Sequence, residues 1–248
     1  MSASQLPVFP FTARRHILLA LILGALGILW LGTFTDLDLR LADLLYDPAT
    51  HLFPWRHAWL TERFGHEFLR RLMTVLALIP MVLAGADLVL RGRLLGRWRP
   101  QVGFVALCAI AIPAVTSLLK HASSSHCPWD LARYGGHEPY LRLLDHVPAL
   151  VEAGKCLPAG HASSALWLVA IGVFWLPHRP GTALRVAGLA LLPGVALGWL
   201  QQMRGAHFLT HTLWSVWIAV AIAFALLEGL RLWQGRAVPA VRSEPVTP

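Results

Sequence analysis

The chain has 248 residues, of which 56% are hydrophobic and only 14% are charged, and its mean hydropathy is +0.57. These values exclude a soluble domain with an ordinary charged surface and indicate a polytopic membrane protein. The formal net charge of +8 does not indicate nucleic-acid binding, because the arginines are scattered among apolar runs without a basic, aromatic-rich patch.

Six apolar runs are predicted to cross a bilayer as helices, which takes about 17–25 residues each. They are Ile17 to Phe34, Leu72 to Leu90, Val102 to Leu119, Ala162 to Leu176, Ala183 to Leu200 and Thr212 to Leu230. The fourth is the shortest. No ten-residue alternation typical of a membrane strand is present. We therefore predict an all-α polytopic membrane protein, a six-transmembrane helix bundle with two extracytoplasmic loops.

The first run follows Arg14 and Arg15 and so resembles a signal peptide, but it is longer than the apolar core of one and lacks an Ala-x-Ala cleavage site. We predict a retained membrane anchor. Residues 1–236 are predicted to form a single membrane domain, with its catalytic motifs between residues 120 and 211. Residues 237–248 are predicted to be a disordered cytoplasmic tail.

Arginines are concentrated in alternate connections, which predicts the orientation of the chain. Basic residues with almost no acids occupy the N-terminus, the second-to-third and fourth-to-fifth connections and the tail, whereas Thr35 to Arg71 and Lys120 to His161 mix both signs. By the positive-inside rule both termini are cytoplasmic and the two long loops lie outside. We expect a multi-pass protein of the bacterial inner membrane whose functional site faces the periplasm.

Two of the three cysteines, Cys127 and Cys156, lie in the second long loop. An oxidising periplasm permits a disulfide between them that ties the two ends of this loop together, although spacing alone does not show the geometry. Cys108 lies within the third span and is expected to be a small core residue.

Three polar clusters flank the membrane spans on the outer side. Lys120 closes the third span, Pro158-Ala159-Gly160-His161 opens the fourth, and a segment from Arg204 to His211 links the fifth to the sixth. Taken alone, the second cluster is a helix cap beside an interfacial histidine. Alternating topology puts all three clusters on one side at similar depth, which favours a site that binds phosphate.

The order of these residues resembles the type 2 phosphatidic acid phosphatase superfamily of integral membrane lipid phosphatases. That family carries Lys-x6-Arg-Pro, Pro-Ser-Gly-His and Ser-Arg-x5-His-x3-Asp. Here the first motif has Cys127 for arginine, with Arg133 or Arg142 as possible substitutes, and the second has Ala159 for serine. The third has Leu200-Gln201 for Ser-Arg, with Arg204 as a replacement cation, and His211 for aspartate.

The resemblance implies a two-step phosphoryl transfer that uses no metal and no cofactor. His207 would attack phosphorus and form a phosphohistidine, His161 would protonate the leaving oxygen and later activate water, and His211 would hold His207. The phosphate oxygens would be bound by Lys120, Arg204, Arg133 and the backbone around Ala159 and Gly160.

The substrate implied is a phosphorylated membrane lipid, such as a polyprenyl diphosphate, phosphatidylglycerol phosphate, phosphatidic acid or lipid A. Three alternatives stay open: a lipid phosphotransferase of the same fold, a non-catalytic lipid-binding or scaffold protein, and a metal site formed by His161, His207 and His211. The sequence leaves the oligomeric state open.

Overall fold

The computed structural model describes residues 8–237, with side chains through Gln234, and in this part of the chain it contains helices and no strand. The α-helices are α1 (Phe11–Phe34), α2 (Leu37–Asp43), α3 (Arg70–Val89), α4 (Arg99–His121), α5 (Gly160–Leu166), α6 (Pro180–Ala190), α7 (Leu192–Met203) and α8 (Leu209–Ala237). A π-helical segment, Leu60–Leu69, leads into α3, and a 3₁₀ segment, Trp167–Trp175, continues α5. Shorter 3₁₀ turns cover Gly96–Trp98, Pro128–Asp130 and Ala132–Tyr134.

Within residues 8–237, five helical stretches are long and apolar enough to cross a membrane, which confirms the prediction of an all-α membrane fold. They are Phe11–Phe34, Leu60–Val89, Gly96–His121, Pro180–Met203 and Leu209–Gln234. The run predicted as the fourth span forms the shorter apolar stretch Gly160–Trp175. The count of six spans therefore stays a prediction, and so does the tail, which apart from Ala237 lies outside the described residues.

The helix of the second predicted span begins at Leu60, well before the apolar run that starts at Leu72. Its early turns are polar and were predicted to belong to a loop. They are helical because one side of them packs on the bundle: Thr61 and Gly65 are buried, and a Cβ on Gly65 would come within 2.7 Å of Leu200 Cδ1 on α7. Close helix packing, rather than hydropathy, decides where this helix starts.

The main core lies between α4, the α5 stretch and α8. Its fully buried members include Cys108 and Ile112 on α4, Ala162 and Leu166 on α5, and Ala219 on α8. By contrast, α1 buries only Leu21 and Ile28, because most of its surface is lipid-facing. Trp217 Nε1 of α8 donates to the Leu21 carbonyl at 2.7 Å and attaches α1 to the bundle.

A second apolar cluster covers one end of the bundle, where α1, α4 and α7 end and the α3, α5 and α8 stretches begin. It consists of Ala42, Phe53, Leu131, Tyr134 and Phe208. These residues come from the loops 35–59 and 122–159 and from the connection before α8, so both long loops fold over the same end. We call this the loop end.

Close contact between α7 and α8 provides a test of the packing that positions the loop end. A Cβ on Gly198 would overlap the Thr212 side chain, whereas a Cβ on Gly188 of α6 would meet nothing within 4 Å. We expect Gly198→Ala to destabilise the protein by about 1–3 kcal/mol, because the two helices must move apart. Thermal unfolding in detergent measures this, with Gly188→Ala as the matched control; equal melting temperatures for the two variants would contradict the packing.

Candidate active site

His207 lies in the connection between α7 and α8, whose shape depends on a glycine. Gly205 has a φ of +73° and packs against the Phe53 ring, which a side chain at this position would overlap. The Gly205 carbonyl accepts a hydrogen bond from the Trp129 N–H at 3.0 Å. Both long loops therefore contact the connection and hold His207 in place.

The His207 side chain is 3% exposed and is bounded by sulfur and by a second imidazole. Its Nδ1 lies 3.4 Å from Cys156 Sγ and 3.4 Å from Nδ1 of His211. Burial lowers the pKa of His207 well below its ordinary value, and the positive charge of Lys120 acts in the same direction. The ring is therefore neutral at neutral pH, which is the form of an imidazole that has a free lone pair.

His211 stands in the first turn of α8, four residues after His207, and is 4% exposed. The Phe208 ring meets its ring edge-on, with centroids 5.4 Å apart. Among residues 8–234 no carboxylate is hydrogen-bonded to either histidine. Asp130, in the second long loop, accepts the Cys127 N–H at 3.3 Å instead.

The start of α5 is attached to α8 through the Ala159 backbone. The Ala159 N–H donates to the His211 carbonyl at 3.2 Å, and Ser215 Oγ donates to the Ala159 carbonyl at 3.1 Å. The Ala159 amide was predicted to bind phosphate, but this hydrogen bond already uses its proton. Ala159 thus links the two motifs, and Gly160 is the residue of this pair that lines the adjoining cavity.

His161, in the first turn of α5, lies between two other histidines. Its ring centroid is 6.4 Å from that of His207 and 4.3 Å from that of His66, on the π-helical segment before α3. Neither ring nitrogen of His161 has a hydrogen-bond partner among the described residues, although both are buried. Buried polar atoms without a partner in a native fold indicate a site for a ligand or water.

A cavity of about 580 Å³ adjoins His161 between α3, α4 and α5. Its polar end is lined by Arg70, Lys120, His121, Gly160, His161 and Ser164. Its apolar end is lined by Ala77, Leu78, Met81, Ala109, Pro113 and Trp167. Since Leu78 is 50% exposed on the apolar surface of α3, the cavity opens toward the lipid-facing side of the bundle.

Arg204 is close to His207 in sequence, but its guanidinium group is engaged elsewhere. Nε donates to the Arg56 carbonyl at 2.9 Å, Nη1 to Gln201 Oε1 at 3.1 Å, and Nη2 lies 3.4 Å from Glu62 Oε1. The side chain is buried and does not line the cavity. Its contact with phosphate remains a prediction. In the structure, Arg204 links the connection between α7 and α8 to the π-helical segment before α3.

Arg133 lies among the loops that cover the loop end and not at the cavity. It makes a bidentate ion pair with Asp43, at 2.9 and 2.7 Å, and Tyr134 donates to the same carboxylate at 2.9 Å. The strong hydrogen bonds to Arg133 lower the pKa of Asp43. Arg133 therefore ties the two long loops together, and its predicted role in phosphate binding is a prediction that the geometry does not support.

Cys127 and Cys156 are joined by a disulfide. It connects the two ends of the second long loop directly beside His207. Together with His207 these cysteines are the one set of three potential metal ligands that the described residues bring within 4.8 Å. Because both sulfurs are committed to the disulfide, the set lacks the thiolates that bind metal. His161, His207 and His211 do not form such a set, so the geometry does not favour the metal site among the alternatives.

Neither His66 nor Arg70 was among the residues selected from the sequence. The sequence feature that identifies both residues is a four-residue spacing of side chains along one helix face, which extends upstream of the apolar run that begins at Leu72. His66, Arg70 and Thr74 follow one another at i, i+4 and so share a face with Ala77 and Met81. This face borders the cavity or the groove next to it.

The comparison with protein families gave one match. The model described as the PAP2 superfamily matches residues 101–233, which is more than half of the chain. The matched range runs from α4 into α8 and includes Lys120, His161 and His207. Comparisons with curated proteins and with solved structures gave no match.

The disulfide beside His207 gives a direct test of the loop structure. Alkylation of the denatured protein without a reductant should label only Cys108, which is the one free cysteine, and reduction should extend labelling to all three. We expect the double variant Cys127→Ser, Cys156→Ser to be less stable by roughly 2–4 kcal/mol, because the loop is no longer closed. Labelling of three cysteines before reduction would show that the bond is absent.

Proposed function

Because the chain belongs to the PAP2 superfamily, we propose that it is a membrane lipid phosphate or diphosphate phosphatase with a phosphohistidine intermediate. The observation that carries this proposal is the placement of His161 and His207, whose rings lie 6.4 Å apart. A phosphorus atom between two rings at this separation lies within reach of both. Lys120 shares the cavity that His161 lines and supplies positive charge to the phosphate.

In the first step, a ring nitrogen of neutral His207 attacks phosphorus. The N–P bond forms as the P–O bond to the lipid breaks, and His161, protonated in the complex with the anionic phosphate, donates this proton to the departing oxygen and becomes neutral. In the second step, His161 takes a proton from a water molecule whose oxygen attacks phosphorus. The N–P bond breaks, and inorganic phosphate leaves with His207 restored to its neutral form.

His211 differs from the aspartate of the family motif because it brings no negative charge. Its Nδ1 faces Nδ1 of His207 at 3.4 Å, so it holds the ring in one orientation. A neutral histidine stabilises the charged phosphohistidine less than a carboxylate does. We therefore assign His211 a positioning role, and we assign no step of proton transfer to it.

The cavity supports a lipid as the substrate. Its polar end contains Lys120 and His161. Its apolar end, which is lined by Ala109 and Trp167 among others, lies deeper between the helices. A phosphorylated head placed at the polar end would leave its hydrocarbon chain along apolar side chains that open to the bilayer. This arrangement suits a polyprenyl diphosphate, phosphatidylglycerol phosphate or phosphatidic acid.

The distribution of charge and the disulfide support a periplasmic site in a bacterial inner membrane. Arg91, Arg93, Arg97 and Arg99 lie at the end of the bundle opposite the loop end, as the positive-inside rule requires of the cytoplasmic side. The disulfide lies at the loop end, and disulfides persist in oxidising compartments. Both features support the assignment of the loop end to the periplasmic side of the membrane.

Substitution of the two histidines in the third motif tests the mechanism. Release of inorganic phosphate from the three lipid classes is measured for purified protein in detergent micelles, with and without a strong chelator. We expect His207→Ala to abolish release, because no nucleophile remains, and His211→Ala to lower it roughly 10- to 100-fold, as loss of an orienting residue does. Chelation should leave the activity unchanged.

His178→Ala is the matched control, since this exposed histidine lies at the end of the bundle opposite the site. Its activity should equal that of the parent protein. Rapid quenching with a lipid labelled in its phosphate should trap an acid-labile label on the parent protein and none on His207→Ala. Full phosphate release by the His207 variant would end the proposed mechanism, and transfer of the label to an added lipid would identify a transferase.

A further inference from the structure

Two positions at which the family motifs place an arginine have no cation here. Cys127 is held in the disulfide, and Gln201 is 1% exposed with its Oε1 accepting a hydrogen bond from Arg204. A phosphate dianion carries more charge than a single ammonium group compensates. If the site binds phosphate, a second cation must come from elsewhere in the fold.

Arg70 is a cation that lies at the right place. It is the first residue of α3, and its side chain lines the polar end of the cavity together with Lys120 and His161. Its charge acts on Lys120, on His161 and on His66. The residue therefore belongs to the same electrostatic cluster as the predicted general acid.

Neither Arg70 nor Lys120 has an acidic partner among the described residues. The ion pairs of the loop end use other residues: Arg204 with Glu62, Arg133 with Asp43, and Arg142 with Asp36. Two cations that face one cavity without compensation repel each other, and an anion placed between them removes this repulsion. Beside them, both ring nitrogens of His161 are buried and without a partner.

We propose that Arg70 binds the phosphate oxygens of the substrate together with Lys120, in place of the arginines missing from positions 127 and 201. This inference rests on the proposed function. The planar guanidinium group contacts two oxygens of one phosphate at once, which an ammonium group does not. Arg204 then serves as a positioning residue that holds the connection carrying His207.

The neighbouring Arg71 offers a close comparison. Successive helical residues are rotated by about 100°, and Arg71 accordingly lines the outer grooves with Glu67 and Val75 and not the cavity. Both arginines are exposed and both precede the apolar part of α3. Replacing either arginine with alanine changes the net charge of the protein by the same amount, but only the replacement of Arg70 removes a cation from the cavity.

The experiment compares Arg70→Ala, Arg70→Lys and Arg71→Ala in the full-length protein. It measures kcat/KM for phosphate release and the concentration of orthovanadate that half-inhibits the reaction. We expect Arg70→Ala to lower kcat/KM and to weaken vanadate inhibition, each roughly 10- to 100-fold, because a charge-assisted contact is lost. Arg70→Lys should recover part of both, and Arg71→Ala should match the parent protein.

The outcomes separate this inference from the proposed function. If the parent protein releases phosphate and Arg70→Ala has the same kcat/KM and vanadate inhibition as Arg71→Ala, the assignment of Arg70 is wrong while the function stands. If the parent protein neither releases phosphate nor binds vanadate, the proposed function itself fails. Thermal unfolding of each variant shows whether a loss of activity reflects a loss of fold. If Arg70→Ala loses activity and has a lowered melting temperature, and Arg70→Lys does not recover the activity, the result counts against phosphate binding by Arg70.

Discussion

A short set of hydrogen bonds between α5 and α8 determines the geometry of the site. The Ala159 N–H donates to the His211 carbonyl, and Ser215 Oγ donates to the carbonyls of both residues, at 3.1 and 2.9 Å. These bonds hold the backbone before His161 against the first turn of α8, which follows His207. Because buried polar groups that lose their partners cost free energy, the contact is maintained. The separation of the two histidines thus follows from backbone bonds, and the other residues of the site are arranged around them.

Hydropathy located most of the fold, since long apolar runs in a chain of this composition have few structures available other than a membrane helix. It did not locate the start of the second helix or the form of the fourth. The segment from Leu60 is helical because Gly65 permits a close approach to α7, and this depends on a residue far away in the chain. The fourth run tightens into a 3₁₀ segment where Gly172 packs on the Ala183 carbonyl. Neither contact has a signature within the run itself.

The order of the motifs selected His161, His207, His211 and Lys120, and in the structure the ring centroids of the first two lie 6.4 Å apart. Local spacing was less informative about the cations. Arg204 lies three residues from His207, yet its partners include Glu62, 142 residues earlier. Arg133 is bound to Asp43, 90 residues away. Pairings of this range depend on how the loops fold over one another, and the period that identifies Arg70 becomes visible only when the helix is known to begin before the apolar run.

The apolar cluster of the loop end lies over the connection that carries His207, with Phe53 packed on Gly205 and Phe208 next to the histidine. His207, the proposed nucleophile, is thereby shielded from bulk water, while the cavity beside it opens toward the apolar surface of the bundle. For the proposed lipid substrate, this geometry implies that substrate reaches the site by diffusion within the plane of the bilayer. The rate then follows the mole fraction of substrate among the surrounding lipids, so diluting the membrane with inert lipid slows the reaction even when the amount of substrate per volume is unchanged.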